Sequence, residues 1–376
     1  MLSVEKEGTI TIVQQSPGCL QKPLDMVYDK SRGCGTICDR KQGVFPEDLK
    51  VLSAFDVSLG MFNYFGEPVK NGEKSNSVLV QQNQSYTIWP LCDVMRDIFN
   101  YVHDVLEKAG ISPTQFIIPL PYCTSTQLIE DLKTGWRNSK RKEAMLNFVN
   151  LEVSVADGLM KYQQDKKPII LVEYNFSTSS IFYLTHEENG YNIKRVVELQ
   201  LSICDCYNDI VRYLEKRFGI TFQLNRKNLL ILYHICHNIN TTLETYSQVN
   251  VNLSEFEPNK GGFVFKTEIE SLFNNRVKEL CDCISSFISP YQGYEAFTCG
   301  LGFSALPYFT KSLPQTVEWS QVAHEDCYGA FSAARNNARV FIQPSLRNSS
   351  VRNLVCDNMI FDSAIDGSLR YSNIFC

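Results

Sequence analysis

The apolar positions change period along the chain. TITIVQQ, from Thr9 to Gln15, alternates with the two-residue period of a strand. SVLVQQNQSYTIW reads as a hairpin, and the Gly/Cys-rich SRGCGTICDRKQG before it reads as a loop. In CDVMRDIFNYVHDVLEKAG, Val94, Ile98, Val102, Val105 and Ala109 fall on one helical face, with Gly110 as the stop and Pro113 just beyond. FIIPLP is a buried strand, Phe116 to Pro121. TSTQLIEDLKTGW starts a helix behind a Thr/Ser cap. VNLEVSVADGLMKY is a strand that runs into a helix, and PIILVEYN with SIFYLTHEENGYNIKRVVEL forms a strand meander. Helices are predicted over Asp205 to Phe218 and Asn228 to Thr242. QVNVNLSEF and GGFVFKT pair as two strands. Thr267-Glu268-Ile269-Glu270 is a capping box for a helix that buries Ile269, Leu272, Val277, Leu280, Ile284 and Phe287. AFTCGLGFSALPYF reads as strand, turn and helix, and HEDCYGAFSAARNNARVF as a helix of small residues.

Strands and helices alternate in blocks with meanders between them, which predicts an α/β architecture with mixed sheets in two lobes. A 44% hydrophobic content suits a large core, and a net charge of −5 argues against a general nucleic-acid binder. No run reaches the roughly 18 apolar residues of a membrane span. MLSVEKEGTITIV lacks the basic head and apolar body of a signal peptide. The 14 cysteines are therefore expected reduced, in the cytoplasm or the nucleus.

Several stretches invite a chemical reading beside a plain one. His234, Cys236 and His237 could suggest zinc, but Cys236 leaves the face that the two histidines share, so an ordinary helix fits better. Cys34 and Cys38 lie in a loop without a second ligand pair of matching spacing. Cys204/Cys206 and Cys281/Cys283 diverge on helices and read as idle thiols. The basic run WRNSKRKEAM is weighed between binding to nucleic acid or an acidic partner and a solvated helix face, and the latter is preferred. No metal site is expected.

In chain order, further stretches resemble the ATPase domain of the 70-kDa heat-shock proteins, which has an actin-like, ribonuclease H-like fold. PYCTSTQ resembles that family's Ala-Tyr-Phe-Asn-Asp-Ser-Gln, and LEVSVADGL its Asn-Glu-Pro-Thr-Ala-Ala segment. CHNINTTLE resembles Cys-Glu-Arg-Ala-Lys-Arg-Thr-Leu. FVFKTEIESLFNNRVKEL resembles the family's small hairpin-and-helix subdomain, and YGAFSAA its Tyr-Gly-Ala-Ala-Val-Gln-Ala-Ala. The resemblance runs from about Gly8 to Arg335. It implies lobe I at 1–165 without its first strand, lobe II at 166–340 with a hairpin–helix subdomain at about 224–290, and an extension at 341–376.

The same resemblance implies a site that has lost its chemistry. The family's Asp-Leu-Gly-Gly-Gly-Thr phosphate turn aligns with Glu173 to Thr178; Asn175, Phe176 and Ser177 replace the glycines, and Thr178 matches. The catalytic lysine falls at Ser58, and the third phosphate contact at Ser202 and Ile203. The adenosine-binding Glu, Lys and Arg fall at His237, Asn240 and Thr241. A second adenosine motif keeps Gly302 and Pro307 and puts Ala305 where the family has arginine. Glu152 matches an acid near the metal, and Asp205 an acid after the third contact. Vestigial cofactor-binding positions are thus Glu152, Glu173, Thr178, Asp205 and Gly302, with no catalytic residue.

The expectation is a pseudo-ATPase acting as a protein-binding scaffold or chaperone-related regulator. No cofactor is expected, and protein partners would dock through the hairpin–helix subdomain. A weak ATP-binding chaperone using magnesium is the alternative. Phe176 and Phe303 would fill the space that nucleotide occupies in the family and hold the lobes together.

Overall fold

The computed structural model describes residues 3–6, 9–12, 25–29, 34–37, 51–53, 77–82, 85–120, 122, 126–160, 166–174, 179–188, 190–199, 203–223, 226–299, 313–322 and 325–335. The chain divides into two compact units, Met1–Gln163 with His324–Ile360 and Gln164–Ala323 with Phe361–Cys376.

In the first unit, β1 (Ser3–Lys6) and β2 (Thr9–Ile12) form an antiparallel pair. β3 (Asp25–Asp29) lies between β4 (Cys34–Ile37) and β5 (Val51–Ser53). The strand β4 corrects the loop expected from the Gly/Cys-rich sequence: pairing with β3 overrides a weak local preference. β6 (Ser77–Gln82) and β7 (Ser85–Pro90) make the expected hairpin. Helix α1 (Leu91–Lys108) follows, and Gly110 leaves it at a φ of +69°, a conformation that glycine takes cheaply.

The α1 stripe differs in part from the predicted one. Val94, Met95, Ile98, Phe99 and Leu106 are buried, whereas Ala109 is exposed. The reason is the neighbour. Helix α2 (Thr126–Arg137) lies so close that a Cβ on Gly135 would stand 2.7 Å from the Cys92 carbonyl oxygen and from Met95 Cβ. The parallel strands β8 (Gln115–Leu120) and β9 (Met145–Asn150) complete this part, and β9 passes directly into α3 (Leu151–Leu159).

The second unit is built on a five-stranded mixed sheet. β10 (Ile169–Tyr174), β11 (Ser179–Glu187) and β12 (Gly190–Leu199) form an antiparallel meander. β15 (Glu295–Cys299) and β16 (Trp319–Gln321) extend it in parallel, giving the order β12-β11-β10-β15-β16. Every residue of β10 is buried, which is why it opens on the unbroken apolar run Ile169–Val172 rather than an alternating one.

Between β12 and β15 the chain makes α4 (Ile203–Phe218), α5 (Arg226–Thr245), a hairpin and α6 (Lys266–Ile288). The hairpin strands are β13 (Gln248–Asn252) and β14 (Gly261–Phe265). Helix α6 buries Ile269, Phe273, Val277, Leu280, Ile284, Phe287 and Ile288. It begins two residues earlier than the proposed capping box. Phe265 is its N-cap because β14 feeds it without a loop, and Glu268, not Glu270, reaches back to the Phe265 N–H at 3.0 Å. Helix α7 (Glu325–Arg335) belongs to the first unit, where it packs on α3. No helix among the described residues is long and apolar enough to cross a membrane.

Candidate functional site

In the first unit the carboxyl ends of β8 and β9 bring Tyr122, Asn150 and Glu152 together. That end of a parallel pair is where open α/β sheets bind ligands, because loops and helix N-termini converge on it. Asn150 caps α3: its Oδ1 accepts the Val153 N–H at 3.0 Å, while Nδ2 is buried and makes no hydrogen bond. Glu152 sits in the first turn of α3, where the helix dipole favours an acid, and is only 1% exposed. Its Oε1 accepts the Tyr122 N–H at 3.0 Å. Burial first, and the Glu152 carboxylate second, push the Tyr122 phenol above its ordinary range. The trio clips the end of β8 to α3. It is acidic and amide in character, whereas a phosphate cradle needs cations or a glycine-rich backbone.

In the second unit Glu173 is the penultimate residue of β10, level with Ser180 of β11 and Cys299 of β15, and is buried. Its neighbour Tyr174 points to the opposite face, as successive strand residues must. There the Tyr174 hydroxyl meets Cys206 Sγ of α4 at 3.5 Å. Asp205 is half-buried in the first turn of α4. The two acids flagged in this unit are therefore not brought together: Glu173 faces away from the side on which Tyr174 meets α4.

The polar centre on the α4 side was not foreseen from sequence. Asp209 of α4 accepts two hydrogen bonds from Arg276 of α6, at 2.5 Å from Nε and 3.1 Å from Nη2. The bond to Asp209, joined by the Asp209 and Asp205 charges, raises the Arg276 guanidinium against the opposing effect of burial. Burial pushes the Tyr174 phenol and the Cys206 and Cys236 thiols well up. These groups stay protonated at neutral pH, and a buried thiol is inert where a thiolate would attack. The centre offers a bonded cation and no activated nucleophile.

The positions aligned with adenosine contacts lie on α5, where His237 and Thr241 are exposed and Asn240 is buried. The Tyr207 hydroxyl and His237 Nδ1 are 3.2 Å apart, and burial lowers the His237 pKa, keeping the ring neutral. Thr241 Oγ1 donates to the His237 carbonyl of its own helix at 2.9 Å. Ser58, Asn175 to Thr178, Ser202, Gly302, Phe303 and Ala305 lie outside the described residues.

The basic run 136–145 is solvated at Arg137, Asn138, Lys140, Lys142 and Glu143, as expected, but it is not a helix face. α2 stops at Arg137, Trp136 is buried against Phe99 and Phe116, and the segment after it folds back on α1. Lys140 Nζ donates to Asp104 at 2.7 Å and Arg141 Nε to His103 Nδ1 at 2.6 Å. His103, Asp104 and Glu107 stand within metal-ligand reach of one another, at an i, i+1, i+4 spacing the sequence could have revealed. The two cations already occupy that cluster.

A comparison with family models finds no match for this chain, and a comparison with curated proteins finds none either.

Proposed function

We propose that this chain is a degenerate member of the 70-kDa heat-shock ATPase type, with an actin-like fold, that binds protein partners as a scaffold or chaperone-related regulator and does not turn over ATP. The observation that carries the reading is the setting of the Glu173–Thr178 stretch. It joins two antiparallel neighbours at the middle of a five-stranded mixed sheet, β12-β11-β10-β15-β16. A ribonuclease H-like lobe is built on a sheet of this kind, with its phosphate turn between the first two strands. Here the turn sequence is Asn175-Phe176-Ser177-Thr178, without the glycines that let a backbone approach phosphate.

Other features agree. Phosphoryl transfer depends on positioning and charge stabilisation, and removing one preorganised donor costs about 10²–10³ in rate. His237 meets the Tyr207 hydroxyl and Thr241 bonds a carbonyl of its own helix, while Asn240 is buried, so none of the three carries the charge of the family's contacts. Glu152 is retained as a structural clip on Tyr122. None of Cys92, Cys206, Cys236, Cys281, Cys283 and Cys299 is in a disulfide, which suits a cytoplasmic workplace. The binding surface is assigned to the hairpin–helix subdomain, where Tyr246, Phe263 and Phe265 are exposed. Fold analogy alone does not license activity, so the test is direct. Calorimetry with Mg-ATP should give no heat of binding at about 100 μM, a regime weaker than roughly −5.5 kcal/mol. A micromolar dissociation constant would overturn the scaffold reading.

A further inference from the structure

We propose that this chain forms a symmetric dimer through the outer edge of β13, joining two hairpins into one four-stranded antiparallel sheet. The proposal stands on hairpin geometry and is independent of any family resemblance.

The hydrogen-bond phase of the hairpin is fixed at both ends. Lys266 N donates to the Ser247 carbonyl at 2.9 Å, and Leu253 N to the Lys260 carbonyl at 3.1 Å. In an antiparallel ladder, bonded and non-bonded pairs alternate. Val249/Val264 and Val251/Gly262 are therefore the bonded pairs, while Gln248/Phe265, Asn250/Phe263 and Asn252/Gly261 are not. The backbone groups of these last three pairs point outward, away from the partner strand.

The two edges are treated differently. On β14 two of the outward groups are taken: Arg217 Nη2 donates to the Phe263 carbonyl at 2.8 Å, and Glu268 accepts the Phe265 N–H at 3.0 Å. Arg217 and Glu268 also pair with each other, so an ion pair seals that edge. On β13 the outward N–H and C=O groups of Gln248, Asn250 and Asn252 make no hydrogen bond among the described residues, and no third strand joins the sheet. Exposed edges are normally blunted by a charge, a proline or a bulge. β13 has none of these: its sequence is Gln-Val-Asn-Val-Asn and its register is unbroken.

That sequence complements itself. Turned antiparallel about Asn250, one β13 sets Asn250 against its own copy, Gln248 against Asn252, and Val249 against Val251. The residues whose groups point outward, Gln248, Asn250 and Asn252, fall on the bonded positions of the new ladder, so every outward group finds a partner. Their side chains are amides on the exposed face, and both inner positions pair valine with valine. No charge meets its like. An isologous contact of this kind closes after two copies. A five-residue edge is small beside the roughly 1,600 Å² of a standard interface, so the dimer is weak and concentration-dependent.

Sedimentation velocity on the full chain, from about 5 to 500 μM, reads this directly. The average mass should climb from the monomer toward twice its value. Asn250→Pro removes an outward N–H that the hairpin ladder does not use, so the fold should persist while dimerisation weakens about tenfold or more. Asn250→Lys and Asn250→Asp each place like charges on the symmetry axis and should be monomeric alone, yet dimerise when mixed. This pair keeps the test decisive if the proline variant misfolds. A wild-type chain that stays monomeric at the top of the range overturns the proposal and leaves the edge to a strand from another protein. Dimers that persist in folded Asn250→Pro, or a Lys/Asp mixture no better than either alone, overturn it as well.

Discussion

Arg276 grips Asp209 with two hydrogen bonds, from Nε at 2.5 Å and Nη2 at 3.1 Å, and so ties α6 to α4 across 67 residues of sequence. Arg212 adds a looser contact to the same carboxylate at 3.6 Å. The pair lies beside Asp205 and the buried Tyr174–Cys206 contact. Both partners are only partly exposed, so the bond is dry enough to matter and wet enough to escape the full desolvation penalty.

Removing both sides of this bond should cost less than the two single losses added together. Arg276→Met leaves Asp209 with only its loose contact to Arg212 and is expected to destabilise the chain by about 1–3 kcal/mol. Asp209→Leu alone leaves the guanidinium without its carboxylate and should cost a similar amount. The double variant should lose less than the sum, by about 1 kcal/mol or more. Urea titration of all four proteins, with a common m-value, measures the coupling. Strict additivity would show that α4 and α6 are held by apolar packing alone.

The sheet and most helices were legible because their signals are local. β10 opens on four consecutive apolar residues, two of them isoleucine and one valine, and so short a β-branched run reads as a core strand. The Asp209–Arg276 bond was not legible, since nothing in the spacing of α4 and α6 states which faces will meet. β4 was missed because Gly35 lowers local strand preference, while its pairing with β3 is a tertiary fact. The start of α6 was misplaced because Thr267 is a good cap by type; the chain instead runs from β14 into the helix at Phe265. The candidate site was legible only in its acids. Glu152 and Glu173 stand out in the sequence as carboxylates, but their burial and the opposite directions of Glu173 and Tyr174 follow from packing.

The Glu268 clamp should make the hairpin–helix subdomain sensitive to acid. Burial pushes this carboxyl up, but the Phe265 N–H, the Tyr213 hydroxyl and Arg217 together outweigh it, and the net pKa lies below the ordinary glutamate value. A depressed folded pKa gives stability that is present above the unfolded value, about 4.3, and lost as pH falls through the folded one. Thermal melts of wild type and Glu268→Gln should therefore differ at pH 7 and converge below about pH 4. A gap that stays constant with pH would mean that the glutamate acts through shape alone.

Burial governs the thiols. Cys206 and Cys236 lie inside the second unit with their pKa values raised by desolvation. The native chain should protect both from an aromatic disulfide reagent at pH 8, and both should react at once in denaturant. The half-buried Cys92, Cys281 and Cys283 should react more slowly than a model thiol but detectably in the native state, because burial raises them less. Mass spectrometry of labelled peptides assigns each site. Rapid native labelling of Cys206 would show that the α4 face of the sheet opens readily.

A close backbone approach in the first unit predicts a fragile position. Where α7 lies on α3, a Cβ at Gly329 would stand 1.7 Å from the Ser154 carbonyl oxygen and 2.4 Å from the Gly158 nitrogen. Both obstacles are backbone, so no side chain can swing aside; the helices themselves must separate. Gly329→Ala is therefore expected to cost about 1–3 kcal/mol or more, despite adding a good helix former to a helix. Ser154 follows Glu152 by two residues on α3, and the Ser154 hydroxyl is itself tied back to the Asn150 carbonyl at 2.8 Å. Displacing α3 should thus disturb the Glu152–Tyr122 clip at the end of β8. Native-state hydrogen exchange reads this at one amide. The Tyr122 N–H should lose protection in Gly329→Ala by more than the global loss of stability accounts for, while amides of β10 in the second unit should keep theirs. Equal loss at Tyr122 and across β10 would mean that the substitution acts on global unfolding, and that the helix crossing does not support the carboxylate.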